Sequence, residues 1–165
     1  MPHIMKRNSL LYLSLALLTL AFASCNTRTM FTPGLQTATQ LIRTSAAGVK
    51  DTITMTDTLN VGDTVRMGMI CNGYYDYLRT VVVSGDTSKV LTSLAWVDSL
   101  NYVLDEDADP AHGRLSFLPE KAYAIYTTMT YIPVATGVHK IDIKITSSAP
   151  DKYNQYSGYF MIAVK

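Results

Sequence analysis

The sequence predicts an all-β fold, an antiparallel sandwich of about seven or eight strands. From residue 48 onward, runs rich in Thr, Val, Ile and Tyr alternate apolar and polar side chains with a period of two, as half-buried strands do. Turn residues separate these runs at intervals of about ten residues, which is typical of two stacked sheets. A partly open β-barrel is the alternative architecture.

Each predicted strand has its own row of apolar side chains. The rows that we expect to face the core include Val49, Ile53 and Met55, then Val65, Met67, Met69 and Cys71, and finally Ile141, Ile143 and Ile145. The dipeptide Asn72-Gly73 predicts a two-residue turn after the second row.

The remaining strands are predicted at 77–83, around Leu115 and Phe117, at 122–132 and at 158–164. Residues 90–104 fit both a helical and a strand spacing, and we predict a strand there. The run at 105–110 holds four acidic residues and a proline, so it is predicted to be a loop.

Two short motifs resemble those of bacterial immunoglobulin-like domains: LNVGDTV at 59–65 and TGVHKI at 136–141. In that family the second motif usually carries a tyrosine whose hydroxyl ties the corner back to the chain. His139 stands in its place here, and would have to make that bond through a ring nitrogen. The resemblance implies an immunoglobulin-like sandwich and no particular function.

The chain begins like a secretory signal, because residues 6–7 are basic, 10–22 are apolar, and the small Ala23 and Ser24 precede Cys25. The apolar run is shorter than the roughly 20 residues that cross a bilayer. The Phe-Ala-Ser-Cys motif ending at this cysteine resembles the lipobox of bacterial lipoproteins. That resemblance implies cleavage before Cys25 and lipid on its sulfur, and the layout is similar to small uncharacterised lipoproteins of gut-type Gram-negative bacteria.

Three segments follow from these signals: a signal peptide at 1–24, a lipidated N-terminus and flexible tether at 25–47, and the β-sandwich at 48–165. A short helix at about 35–43 is the alternative within the tether. Lipid holds such a protein at a membrane without a spanning helix.

The resemblance also implies a location at the outer membrane, because Asn26 is not the aspartate that usually retains a lipoprotein at the inner membrane. Residues 26–29 lack the acidic side chains that flag surface display, so the periplasmic face is favoured.

Charge argues against nucleic acid as a partner. Loss of Lys6 and Arg7 with the leader leaves 12 of the 14 basic residues against 13 acidic ones, a formal charge of −1. A nucleic-acid backbone needs a basic surface, and none is evident in the sequence. With Cys25 lipidated, Cys71 is the only other cysteine, so no internal disulfide is expected and Cys71 is predicted to be buried and inert.

No catalytic motif is recognisable, and a non-enzymatic protein is predicted. The chain lacks the Gly-x-Ser-x-Gly turn of many serine hydrolases, a zinc helix motif and a phosphate-binding glycine pattern. A general base would have to be His112 or His139, and His139 fits a structural role better.

Asp105, Asp107 and Asp109 alternate like the first ligands of a calcium loop. Pro110 stands where an EF-type loop needs its glycine, and Ser116 where it needs its closing glutamate. A solvated loop is therefore the preferred interpretation, with calcium as the alternative.

Tyrosines crowd two turns, and tyrosine offers a flat amphipathic face for sugars or proteins. The candidate binding residues are Tyr74, Tyr75, Tyr77, Tyr153 and Tyr156. Plain packing of sheet faces is the alternative role for these residues.

Four Asp-Ser/Thr-apolar triplets resemble the O-glycosylation acceptor of gut-type bacteria. Exposure on turns favours Thr58 over Thr64 as a modified residue, and Ser99 is a second candidate.

Together these features predict a non-enzymatic binding or assembly module of the cell envelope, with an unknown protein or glycan partner. One rival is a calcium-dependent carbohydrate binder or an envelope hydrolase built on the acidic loop and His112. Another is a subunit of a larger assembly that pairs through an edge strand.

Overall fold

Two antiparallel sheets pack face to face in the computed structural model, which describes residues 31–96 and 103–165. Within those ranges the strands are β1 (Gly34–Thr37), β2 (Leu41–Thr44), β3 (Lys50–Ile53), β4 (Thr64–Asn72), β5 (Leu78–Gly85), β6 (Val90–Ala95), β7 (Arg114–Ser116), β8 (Ala124–Pro133), β9 (Gly137–Ser147) and β10 (Gln155–Val164). The immunoglobulin-like sandwich is therefore confirmed.

The first sheet has the order β3-β2-β4-β8-β6, and β1 pairs with β4 beyond the end of β2. The second sheet has the order β10-β9-β5-β7. Consecutive strands β4 and β5 lie in different sheets, as in sandwiches whose connections cross between layers. In the described ranges no strand ladder joins the two sheets into a barrel.

The core lies between the sheets and is formed by the predicted rows. Val65, Met67, Met69 and Cys71 of β4 are fully buried, and the three isoleucines of β9 are at most 3% exposed. Alternate residues of a strand point to opposite faces, so these rows identify the inward face of each strand. Burying a side chain of this size stabilises the fold by roughly 1.5–3 kcal/mol.

Val49 is an exception to the predicted rows, since 65% of its surface is exposed. It lies in the turn between β2 and β3, where its N–H donates to Ser45 Oγ at 3.1 Å. Ile53, four residues later, is buried as predicted.

The predicted tether was wrong from residue 31 onward. Residues 34–37 form β1 against β4, and residues 41–44 form β2 between β3 and β4. Leu41 is only 1% exposed in the core, so this segment is an integral part of the sandwich. Because this segment is mostly polar and only one row of its side chains is buried, its alternation of apolar and polar residues was too weak to predict strands.

The predicted two-residue turn at Asn72-Gly73 was also wrong. β4 ends at Asn72 and β5 begins at Leu78 in the other sheet, so five residues are needed to cross the core. A two-residue turn joins only strands that are neighbours in one sheet.

The predicted strand in 90–104 is confirmed for β6, and residues 97–102 lie outside the described ranges, as do the predicted signal peptide, Cys25 and Ser99. Among the described residues, no helix has the length and apolar character needed to cross a membrane.

The predicted histidine corner is present. His139 is 6% exposed, and its Nε2 donates a hydrogen bond of 2.7 Å to the carbonyl oxygen of Ala135. The ring thus ties the start of β9 back to the preceding turn through a nitrogen, as expected from its place in the motif.

Candidate binding groove

A groove of about 450 Å³ opens on the side of the sandwich that carries β1 and the start of β10. Its walls come from both sheets: Leu35 and Gln36 of β1, Ile70 of β4, Tyr74 of the following loop, and Tyr156 of β10. None of its lining residues is charged. The groove therefore brings together one member of each predicted tyrosine cluster.

Tyr74 forms an aromatic wall with Phe31. Their ring centroids are 5.4 Å apart with the planes tilted by 43°, and Tyr75 lies on the other side of Phe31 at 6.0 Å. Such tilted pairs are favoured by the ring quadrupoles. Tyr74 is 48% exposed and offers ring surface to a ligand, whereas Tyr75, at 63% exposed, is not among the residues that line the groove.

The backbone holds Tyr74 in an unusual conformation, with φ at 58°. Its N–H donates to Asn72 Oδ1 at 2.6 Å, a side-chain bond that turns the chain sharply at the end of β4. A non-glycine residue in this region costs about 1–3 kcal/mol, and such strain is concentrated at functional positions. This turn directs the ring back over β1.

Gly34 makes room for that ring. A Cβ atom built at Gly34 would lie 2.6 Å from Tyr74 Oη and 3.0 Å from its Cζ. The absence of a side chain at Gly34 therefore lets Tyr74 lie against β1.

Tyr156 is placed in a similar way on β10. It is half-buried, packs on the edge of the core, and its Oη would meet a Cβ at Gly158 at 2.5 Å. Tyr74 thus lies over a glycine of the adjacent strand β1, and Tyr156 lies over a glycine of its own strand, β10. This arrangement places two amphipathic rings in the lining of one groove.

The other predicted tyrosines lie elsewhere. Tyr77 stacks on Tyr123 with centroids 4.1 Å apart, and its hydrogen bond with Tyr123 raises the pKa of Tyr77. Tyr153 is exposed in the turn before β10, where its N–H bonds to the carbonyl of Pro150. Neither residue lines the groove.

Sequence reasoning missed Phe31, Leu35 and Ile70 as groove residues. Phe31 and Leu35 fell in the predicted tether, and Ile70 is exposed on the outward row of β4. The antiparallel pairing of β1 with β4, which sets Gln36 opposite Ile70, brings the two segments together. The one local signal was Pro33-Gly34, a strand-edge proline followed by a residue without a side chain.

The side chains of the acidic loop bond mostly within the loop. Asp105 Oδ1 accepts from the N–H of Asp107 at 2.9 Å, and Asp105 Oδ2 accepts from Ser116 Oγ at 2.7 Å. Asp109 caps the single 3-10 turn Pro110–His112. The carboxylates of Asp105 and Asp109 therefore bond within the loop, and among the described residues no cluster of three metal-ligating side chains is present. Calcium binding stays the alternative interpretation.

His112 pairs with Asp109, with Nδ1 and Oδ2 2.8 Å apart, but its side chain is 84% exposed. Within the described ranges no hydroxyl is hydrogen-bonded to its ring. A nucleophile, a base and an orienting acid are all needed for nucleophilic catalysis, and only the last two meet here.

Cys71 is fully buried, and burial raises the pKa of its thiol to about 12. The thiolate is the reactive form of cysteine, so this residue has the inert character that was predicted.

Thr58 is exposed in the loop before the Leu59 bridge, whereas Thr64 is half-buried at the start of β4. The structure thus places the preferred glycosylation candidate on the surface. Whether it is modified stays a prediction.

Comparison with known proteins adds fold neighbours only. No family model matches the chain, and no curated protein matches its sequence. Two solved structures titled BspA_C_WT and BspA_C_mut superpose with a TM-score of 0.47 at 11% identity, each over 80% of this chain. The chain spans about half of those structures, 50% and 47%. A PapD-like domain of human CEP192 has a TM-score of 0.36 at 13% identity, over 82% of this chain and 85% of that domain.

Proposed function

We propose that this chain is a non-enzymatic binding module of the bacterial cell envelope, anchored through lipid on Cys25, which takes its ligand in the groove between β1 and β10. The observation that carries the proposal is the groove itself, which is lined by the rings of Tyr74 from the loop after β4 and Tyr156 from β10. Ring faces with polar tips are well suited to binding because they offer contact area at little entropic cost.

The lining favours a neutral, amphipathic ligand. Aromatic and aliphatic walls alternate with the amides of Gln36 and Asn72 and the hydroxyl of Thr32, and no charge is present to select an anion or a cation. A few polar groups within an apolar cleft are what fix the orientation of a small ligand. Among envelope ligands, a neutral oligosaccharide matches these properties best, because its rings stack on aromatic faces and its hydroxyls pair with amides.

The test is a binding titration of residues 26–165, which contain every described strand, against a panel of neutral and charged envelope oligosaccharides. We expect a neutral glycan to bind and to raise the melting temperature by mass action. Tyr74→Ala should weaken that binding about tenfold, since an aromatic contact contributes about 0.5–1.5 kcal/mol.

Tyr159→Ala is the matched control, because Tyr159 is also an exposed tyrosine, at 66%, but lies on the face of β10 opposite to that of the groove residue Tyr156. Equal losses for both variants, or no binding by any neutral glycan, would contradict the proposal. Binding of charged glycans alone would place the ligand at a different surface.

A further inference from the structure

β10 has the longest free edge among the described strands. It pairs with β9 over all ten residues from Gln155 to Val164, and on its other side only its end is bonded, where the backbone of Leu59 bonds Ala163 and Lys165 at 2.9 Å. Backbone groups of alternate residues face the same edge of a strand. The groups of residues 155, 157, 159 and 161 therefore face outward, and within the described ranges no backbone bond reaches them.

This edge lacks the features that usually prevent strand pairing, namely charge, proline, bulges or short length. Residues 155–164 include no charged residue and no proline. The outward side chains are neutral, and two of them, Tyr159 and Met161, are 66% and 47% exposed. An edge of this kind is recognised by another extended strand.

We infer that the partner is a second copy of this chain, bound through antiparallel pairing of β10 with β10 around a two-fold axis at Gly158. In this register the four residues of each copy with outward backbone groups face those of the other copy. Residue 155 pairs with 161, and residue 157 pairs with 159. Each facing pair exchanges two hydrogen bonds, and the symmetry makes the interface isologous.

The side chains are self-complementary in that register. The large Tyr159 lies opposite the small Ser157 of the other copy, and Gly158 faces its own counterpart. On the inner face, Tyr156 lies opposite Phe160 of the other copy, and cross-strand aromatic pairs stabilise sheets. Both residues are half-buried in one copy.

Charge is complementary across the same sheet. Ser157 pairs with Lys144 of β9, and Tyr159 pairs with Asp142. The two central rows of the dimer therefore have Lys144 from one copy at one end and Asp142 from the other copy at the opposite end, about 14 Å apart over three strand spacings. Salt screens charges at that distance, so they do not oppose this register and contribute little to its stability.

An edge of seven residues is smaller than the roughly 20–30 residues per side of a standard interface, so association should be weak in dilute solution. Anchoring two copies to one membrane raises their effective concentration. The test therefore uses the full chain expressed in a Gram-negative host.

The variant Ser157→Cys with Tyr159→Cys brings cysteines into facing positions, since Cα atoms of hydrogen-bonded pairs lie about 5.5 Å apart, within disulfide range. Mild oxidation should give a dimer on a non-reducing gel. Asp142→Cys with Lys144→Cys is the matched control, with the same spacing and face one strand further in, and should stay monomeric.

Met161→Pro, added to the first pair, removes an outward N–H without touching the β9 ladder and should lower the cross-linked fraction about fivefold or more. Tyr74→Ala should leave cross-linking unchanged, which separates this inference from the proposed ligand site. A monomeric Ser157→Cys with Tyr159→Cys variant, equal cross-linking of the control pair, or no effect of Met161→Pro would overturn the proposed interface.

Discussion

The two sides of the sandwich differ in how their sheet edges end. On the side of β6 and β7, which we call the covered side, the edges are six and three residues long. The 3-10 turn Pro110–His112 packs against β6, and the acidic loop bonds the edge of β7 through the N–H of Asp105 and the carbonyl of Ser116. Nothing comparable covers the long edge of β10 within the described residues.

The β10 side, which we call the open side, also carries the aromatic groove. The acidic residues that the sequence offered as an alternative calcium site are on the covered side, where two of them bond within a loop. The comparison shows that carboxylates able to bind a ligand can instead accept hydrogen bonds that hold a loop together. The neutral surface beside the free edge of β10 stays exposed. The open side is therefore where we place both the ligand and the partner.

The largest effect is expected on the covered side, at Gly113. Its φ is +78°, and a Cβ there would lie 2.4 Å from the carbonyl oxygen of Val83. Gly113→Ala should lower the free energy of unfolding by about 3 kcal/mol, from backbone strain together with overpacking. Denaturant unfolding monitored by circular dichroism measures the change.

Gly48→Ala is the control for backbone strain alone, because Gly48 has a φ of +82° with no atom within 4 Å of a new Cβ. We expect a loss of about 1 kcal/mol. Equal losses at the two glycines would mean that the covered side is not tightly packed against the 3-10 turn.

An open-side glycine should behave differently. In Gly34→Ala the new Cβ meets the hydroxyl end of Tyr74, a side chain that can swing away into solvent. Stability should change by less than about 0.5 kcal/mol, while affinity for a neutral glycan falls about threefold as the ring leaves the groove. Unchanged affinity together with a displaced ring would show that Tyr74 does not contact the ligand.

The smallest effect concerns the charged edge at β3, where Arg43 Nε donates to Asp51 Oδ1 at 2.9 Å. This hydrogen bond with Arg43 lowers the pKa of Asp51 from its ordinary 3.8. Because this pKa is lowered, the ionised carboxylate stabilises the fold at pH values above the ordinary pKa. The stabilisation disappears as the pH falls through the lowered pKa.

Asp51→Asn should therefore melt slightly below the parent chain between pH 5 and pH 7. The two melting temperatures should converge as the solution is acidified below the ordinary pKa of 3.8. A difference that persists at low pH would assign the effect to packing and not to the charge. Thermal melts in a series of buffers distinguish the two.

The sequence predicted those parts of the fold that depend on local periodicity. The inward rows of β4 and β9 alternate strictly, so their burial followed from the pleat of a strand. A corner bond through a ring nitrogen of His139 was expected from the resemblance of the motif, and the structure identifies the carbonyl of Ala135 as its partner.

The groove could not be predicted because it depends on long-range pairing. Tyr74 and Tyr156 were candidates separately, but their meeting depends on β1 lying beside β4 and on β10 ending the other sheet. The bonding within the acidic loop was hidden for a related reason: the spacing of its aspartates suggested ligands, but the hydroxyl of Ser116, eleven residues later, donates to Asp105.

The most direct test of the open side is amide chemical-shift mapping of residues 26–165 by NMR, recorded with calcium, with the glycan panel, and over a range of protein concentrations. Our account predicts that a neutral glycan shifts amides at 31–36 and 70–74, and that rising concentration shifts those at 155–161. Shifts confined to the acidic loop and His112, with calcium or with a glycan, would contradict it.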